Sequence, residues 1–110
     1  MGPLDAHLER YMDLLSARQK LVASNIANVD TPGYLTQDID FQSELQNAGG
    51  GTPHAQAVEG LAVRNDGNNV SIDRETRLLA ENALRFQVAS SLLHSQIQTL
   101  RSAIKEGQST

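Results

Sequence analysis

The sequence predicts a mainly α fold: two long terminal helices forming an antiparallel, coiled-coil-like hairpin, with a short irregular middle and a small β-hairpin. Three observations predict it. Apolar residues recur with a helical period at both ends of the 110-residue chain. Each periodic run stops at residues that break helices. Between the runs lies an acidic, glycine-rich stretch with no helical period of its own. This length makes one domain, divided here into 1–34, 35–72 and 73–110.

The first helix is read over residues 4–29. Leu4, Leu8, Tyr11, Leu15, Arg18, Val22, Asn25 and Val29 recur at alternating spacings of four and three, a heptad pattern with two polar interruptions. Leu14, Leu21 and Ile26 widen the stripe. Pro3 suits a first turn, where its missing N–H costs nothing, and Asp5 sits well near the positive end of the helix dipole. The stop is sharp. Pro32 pushes Thr31 into extended geometry, and Pro32-Gly33 fits the centre of a type II turn.

The middle reads differently. Gly49-Gly50-Gly51-Thr52-Pro53 marks a flexible loop. Beyond it, Leu61-Ala62-Val63 and Val70-Ser71-Ile72 flank Asp66-Gly67, which predicts the hairpin there. From Asp73 to about Glu106 the helical period returns, with Asp73 as cap, Glu75 in the first turn and Gly107 as the stop. Leu79, Phe86, Leu93 and Leu100 are seven apart; Asn82, Ala89, Gln96 and Ala103 form a second row, and Ala83, Ser90, Ile97 and Ile104 a third. The assembly stripes are therefore Leu8, Tyr11, Leu15, Val22 and Val29 on one helix and Leu79, Phe86, Leu93, Ile97 and Leu100 on the other.

A single hairpin covers only part of each stripe, so the fold is marginal alone. Leu, Ile, Val and Phe number 27 of 110, with no Trp, two Phe and two Tyr, so the core is aliphatic and thin. The reading expects self-association, with the isolated chain partly disordered and ordering on contact. Asn25, Asn28, Asn82 and Gln96 are suited to fixing register and partner choice. Arg18, if buried, needs a carboxylate or carbonyl, and otherwise snorkels.

Charge and composition exclude several classes. The net charge is −4, and residues 30–73 hold seven acids against one base, Arg64, which argues against nucleic-acid binding. There is no cysteine, hence no disulfide and no thiolate metal site. The longest apolar runs are two or three residues, so no membrane insertion is expected. A charged n-region followed by an apolar h-region is missing at the N-terminus, so a cleaved signal peptide is not expected.

No chemistry-bearing constellation emerges. His7, His54 and His94 share no ligand spacing and read as a helix-face, a loop and an exposed helix residue. Asp38 and Asp40 flank Ile39 without a companion histidine and read as solvated acids. No Gly-x-Ser-x-Gly turn presents a nucleophile, and the glycine cluster lacks the Lys-Ser/Thr ending of a phosphate loop. The expectation is a non-enzyme with no catalytic residue, no metal and no cofactor.

Ser24-Asn25-Ile26-Ala27-Asn28-Val29-Asp30-Thr31-Pro32-Gly33-Tyr34 resembles the signature of the flagellar rod and hook axial protein family, an Asn-Ile-Ala-Asn-x-x-Thr-Pro-Gly-Tyr run at the end of the first helix. The match is complete in type and spacing. Asn68-Asn69-Val70-Ser71-Ile72-Asp73-Arg74-Glu75 and Leu79-Ala80-Glu81-Asn82-Ala83-Leu84-Arg85-Phe86-Gln87 are similar to the C-terminal region of its proximal rod branch. The resemblance covers about 24–46 and 65–104. It implies a structural subunit of the basal-body rod, whose paired terminal helices line a hollow, torque-transmitting tube in the periplasm and serve motility. It also implies export through the flagellar type III apparatus without a cleaved signal, with other rod and basal-body proteins and the export gate as partners. Phe41-Gln42-Ser43-Glu44-Leu45 fits the Phe-x-x-x-aliphatic gate motif of such substrates, resting on Phe41 and Leu45; packing beneath the helices explains the same residues. Two alternatives stand beside this: another rod component, which the 68–87 stretch disfavours, and a soluble helical export chaperone or adaptor, which secretion would distinguish.

Overall fold

A computed structural model describes residues 2–47 and 50–108. Helix α1 spans Pro3–Ala27 and helix α3 spans Ile72–Gln108. At 1.5 Å per residue they are about 38 and 55 Å long. They pack antiparallel, and the whole measures 72 × 26 × 17 Å. Between them lie β1 (Gln37–Ile39), the short helix α2 (Phe41–Gln46) and β2 (Ala55–Ala57).

Both helix starts are held locally. Pro3 occupies the first turn of α1, and the Gly2 N–H donates to Asp5 Oδ2 at 3.3 Å. At α3 the cap is Ser71 and not Asp73: its Oγ accepts the Arg74 N–H at 3.2 Å, which starts the helix two residues earlier than expected. The other end also departs from expectation, because α3 runs through Gly107 to Gln108. Gly107 stays helical at modest propensity cost.

The small sheet is not where the sequence placed it. β1 and β2 pair antiparallel, Gln37 opposite Ala57 and Ile39 opposite Ala55. Residues 61–63 and 70–72 form no ladder. The Asp66-Gly67 turn does form, with Gly67 N–H donating to Arg64 O and Arg64 N–H to Asn68 O, both at 2.9 Å. Its flanks part at once because the amides of Asn68 and Asn69 take partners on the other half of the chain. Gly50 and Gly51 both adopt positive φ in the loop before β2; Gly49 lies outside the described residues.

The core sits at the α1–α3 contact and beneath the sheet. Among the described residues its fully buried apolar members are Leu14, Leu15, Val22, Ile39, Val70 and Ala89. Eight polar residues are buried with them: Asn25, Thr36, Asp38, Glu44, Asn68, Asn69, Glu75 and Asn82. Polar side chains thus outnumber apolar ones in the interior, and the hydrogen bonds they make decide what the fold holds in place.

Candidate functional site

The end of α1 and the turn after it form the densest polar network. Tyr34 N–H donates to Thr31 O at 3.2 Å and Gly33 has φ +75°, as a type II turn over 31–34 requires. Asn25 is 1% exposed. Its Nδ2 donates to Gln37 O at 2.9 Å while its Oδ1 accepts the Gln37 N–H and the Tyr34 hydroxyl, both at 3.0 Å. One amide thereby closes the free edge of β1 as a neighbouring strand would. Asn28 Nδ2 donates to Ser24 O at 2.8 Å, and Asn28 Oδ1 accepts the Thr31 hydroxyl at 3.0 Å.

Residues 64–70 fasten this turn from across the chain. Asn68 Nδ2 donates to both Asn28 O and Thr31 O at 2.8 Å, and Asn68 Oδ1 accepts the Val70 N–H. Asn69 Oδ1 accepts the Thr36 N–H at 2.7 Å, and Gly33 N–H donates to Asp66 O at 2.8 Å. The Arg64 guanidinium donates to Val70 O and to Val29 O.

Below the turn lies a buried ionic junction. Asp38, expected to be solvated, is 7% exposed and accepts from two arginines. Arg18 of α1 reaches it through Nε at 3.0 Å and Nη2 at 3.3 Å, and Arg74 of α3 through Nη2 at 2.8 Å. Arg74 Nη1 also donates to Glu75 Oε1 at 2.7 Å. Glu75 is fully buried and its Oε2 has no partner, so the junction carries a desolvation cost. Nothing local in the sequence marks Asp38 as buried, because its partners lie 20 and 36 residues away. Asp40 is exposed and caps α2, its Oδ1 accepting the Ser43 N–H.

The two candidate gate residues, Phe41 and Leu45, are half-buried on α2. Phe41 makes an edge-to-face contact with Tyr11, ring centroids 5.4 Å apart, and carries the Arg18 guanidinium 5.2 Å above its ring. Glu44 fastens the following loop: its Oε1 accepts the His54 N–H at 2.9 Å and stands 3.0 Å from His54 Nδ1, and its Oε2 accepts from Arg10 at 3.3 Å. The His54 N–H, then its ring, hold the Glu44 carboxyl below the usual carboxylate range.

The stripe residues divide into two groups. On α1, Leu15 and Val22 are buried within the chain and Leu8 and Tyr11 are half-buried; Val29, expected on the helix, is half-buried in the turn after it, since α1 ends at Ala27. On α3, Leu93 is half-buried, whereas Leu79, Phe86, Ile97 and Leu100 are exposed. The row of α3 that meets α1 is the one carrying Asn82 and Ala89, and Asn82 Nδ2 donates to Leu15 O at 2.7 Å and to Gln19 Oε1 at 3.1 Å. A further row, Leu84, Val88 and Leu92, is exposed beside His7, Leu8 and Tyr11, where the helices leave an apolar groove of about 380 Å³. The heptad reading missed this row, although its four-residue spacing is visible in the sequence.

Residues 97–108 are all exposed. With Asn82 opposite Leu15, α1 runs out near His94, and about 21 Å of α3 projects past it. His7, His54 and His94 are all exposed and lie on α1, the loop and α3 respectively. Among the described residues, no three His, Asp or Glu side chains come together in a way that would hold a metal ion. No helix of the described residues is long and apolar enough to cross a membrane.

The geometry is therefore that of a braced helix pair with uncovered faces, and relatives of known type share the sequence that builds it. The family model for flagella basal body rod protein matches residues 9–34, which end at Tyr34 of the exit turn. The flagellar basal body rod protein FlgB of Salmonella typhimurium is 36% identical over 94% of this chain and 96% of its own length. FlgB of Escherichia coli is 32% identical over 97% and 99%, and FlgB of Cereibacter sphaeroides 39% identical over 84% and 86%. The Salmonella alignment extends over more positions than this chain has residues, so that relative carries internal segments absent here. Full-length similarity to proteins of this one type leaves the other rod component unfavoured, and the chain belongs to the FlgB family of flagellar basal body rod proteins.

Proposed function

We propose that this chain is a structural subunit of the proximal rod that assembles through the uncovered faces of α3 into a hollow shaft transmitting torque. The observation that carries the reading is the exposure of Leu84, Val88 and Leu92 on one flank of the α1 contact, of Leu79, Phe86 and Ile97 on the other, and of Leu100 past the end of α1. A helix apolar on both flanks of its one intrachain contact has surface left for neighbours. Burying it against other subunits at about 25 cal/mol per Å² drives association, and heterologous contacts that do not close extend into a helical tube. Load is then spread over many helix contacts.

The neighbours are other rod and basal-body proteins, further copies of the chain among them, and the rod crosses the periplasm. The chain reaches it through the flagellar type III apparatus without a cleaved signal. Phe41 and Leu45 act as the gate motif in the unfolded chain, because folding packs Phe41 onto Tyr11 and Arg18. The chain passes through the apparatus unfolded, and the exposed distal end of α3 is covered only on assembly.

Motility and secretion together test this reading. Leu84→Ser with Val88→Ser and Leu92→Ser is expected to leave secretion intact and abolish swimming. Full motility of that triple variant overturns the assembly role of the row. Phe41→Ala with Leu45→Ala is expected to reduce secretion into the medium, and unchanged secretion returns both residues to packing alone.

A further inference from the structure

Helix α1 ends without the cations that ordinarily stabilise a C-terminus: no basic residue lies in its last turn. Its last carbonyls are nevertheless taken. Ser24 O accepts from the Asn28 N–H and Nδ2, and Ile26 O from the Val29 N–H; the carbonyl of the C-cap residue, Asn28 O, accepts from the Thr31 N–H and from Asn68, and Val29 O, in the turn beyond the helix, accepts from Arg64. Arg64 is the single base among residues 30–73, and it stands where the dipole of α1 is most negative. Asn68 is 0% exposed and spends both Nδ2 protons on this turn, one on Asn28 O and one on Thr31 O. Backbone closes the remaining gap: Gly33 N–H meets Asp66 O, and a Cβ on Gly67 would stand 3.3 Å from Gly33 Cα.

We propose that residues 64–70 are a C-cap for α1 supplied in trans from the other half of the chain, and that the Asn-Ile-Ala-Asn…Thr-Pro-Gly-Tyr signature is the receptor for this latch. Asn25, Asn28 and Tyr34 spend their polar side-chain atoms within the chain, on Gln37, Ser24, Thr31 and one another. The signature thus recognises its own C-terminal half. Its consequence is an order of events. Pro32 and Gly33 halt the helix locally, but the turn becomes rigid only when Asn68 and Arg64 arrive, and α3 starts three residues after Asn68 at its Ser71 cap. One latch therefore fixes the end of the first helix and the beginning of the last.

The test is hydrogen exchange on the isolated full-length chain under native conditions, where local openings are read separately from global unfolding. Asn68→Ala is expected to speed exchange over 28–36 by about tenfold, the scale of one lost buried hydrogen bond, while α3 over 76–90 keeps its rates. Asn68→Asp retains the shape and the acceptor for Val70 but has no donor, and is expected to match the alanine variant. Arg64→Gln is expected to produce a smaller acceleration in the same segment. Adding Gly33→Ala to Asn68→Ala is expected to produce no further acceleration there, since the turn is already open. Unchanged rates over 28–36 in both Asn68 variants overturn the latch, as does an equal acceleration along α3. The measurement does not depend on rod assembly, so it can fail while the assembly reading stands.

Discussion

Over residues 72–82, α3 is held by amides and charges: Arg74 on Asp38, Glu75 against Arg74, and Asn82 on the backbone of α1. Over 97–108 it lies in water with Ile97, Leu100 and Ile104 uncovered. This inverts the usual placement of polar and apolar residues, and the reason is directional. Hydrogen bonds and bidentate ion pairs specify one geometry, which suits the base where three elements must meet at fixed angles. Apolar contact is non-directional and proportional to area, which suits a surface kept for neighbours. On the proposed assembly role, the chain keeps geometry and association apart within one helix.

The contrast is broken most severely at Asp38. Asp38→Ala leaves the half-buried Arg18 without its carboxylate and Arg74 with Glu75 alone. A loss of about 3–5 kcal/mol is expected, read by denaturant unfolding. Arg18→Met, which fills the volume without charge, is expected to cost less, and an equal loss would show that packing rather than pairing holds the base.

Next comes the exit turn. Gly33 sits at φ +75°, so Pro32→Ala with Gly33→Ala places a side chain in a strained conformation while removing the helix stop. The expected loss is about 1–3 kcal/mol, and rod assembly is expected to suffer more than secretion. Normal motility in that variant would separate the turn from assembly.

Smaller again is Glu44. Its folded carboxyl titrates below the ordinary 4.5, because the His54 N–H and ring favour the charged form. Its contribution to stability is therefore complete above the ordinary value and fades as pH falls through the lowered one. Melting from about pH 7 to about pH 3 is expected to show this acid limb, and Glu44→Gln to flatten it.

Smallest in stability are the distal positions. Ile97→Ser and Leu100→Ser are expected to change folding by about 0.5 kcal/mol or less, since neither side chain is covered within the chain. If either variant lowers stability as much as the turn variant does, the distal half is packed in solution and the comparison fails.

The elements that were legible are those with local causes. A sustained heptad period reported both long helices, and Pro32-Gly33 reported the turn that ends α1, because proline restricts the backbone at and just before its own position and glycine readily takes the positive φ that the turn needs. The complete match over 24–34 reported the family. Three features escaped. β1 and β2 are three residues each, too short for a period, and they pair across a sixteen-residue separation. The hairpin expected at Asp66-Gly67 has a correct turn, but Asn68 and Asn69 direct their amides to Asn28, Thr31 and Thr36 instead of forming a ladder. The stripe through Leu79, Phe86 and Leu100 has the right period, yet Glu75, Asn82 and Ala89 are the residues buried on that helix.

Those differences share one cause. Helix period and turn chemistry follow from neighbours within a few residues, so the order of residues is enough to settle them. The burial of Asp38, Glu75, Asn68 and Asn82, and the choice of which side of α3 stays open, depend on partners brought from the opposite half of the chain. A polar side chain enters a core only when such a partner meets its hydrogen bonds, and that condition is met in three dimensions.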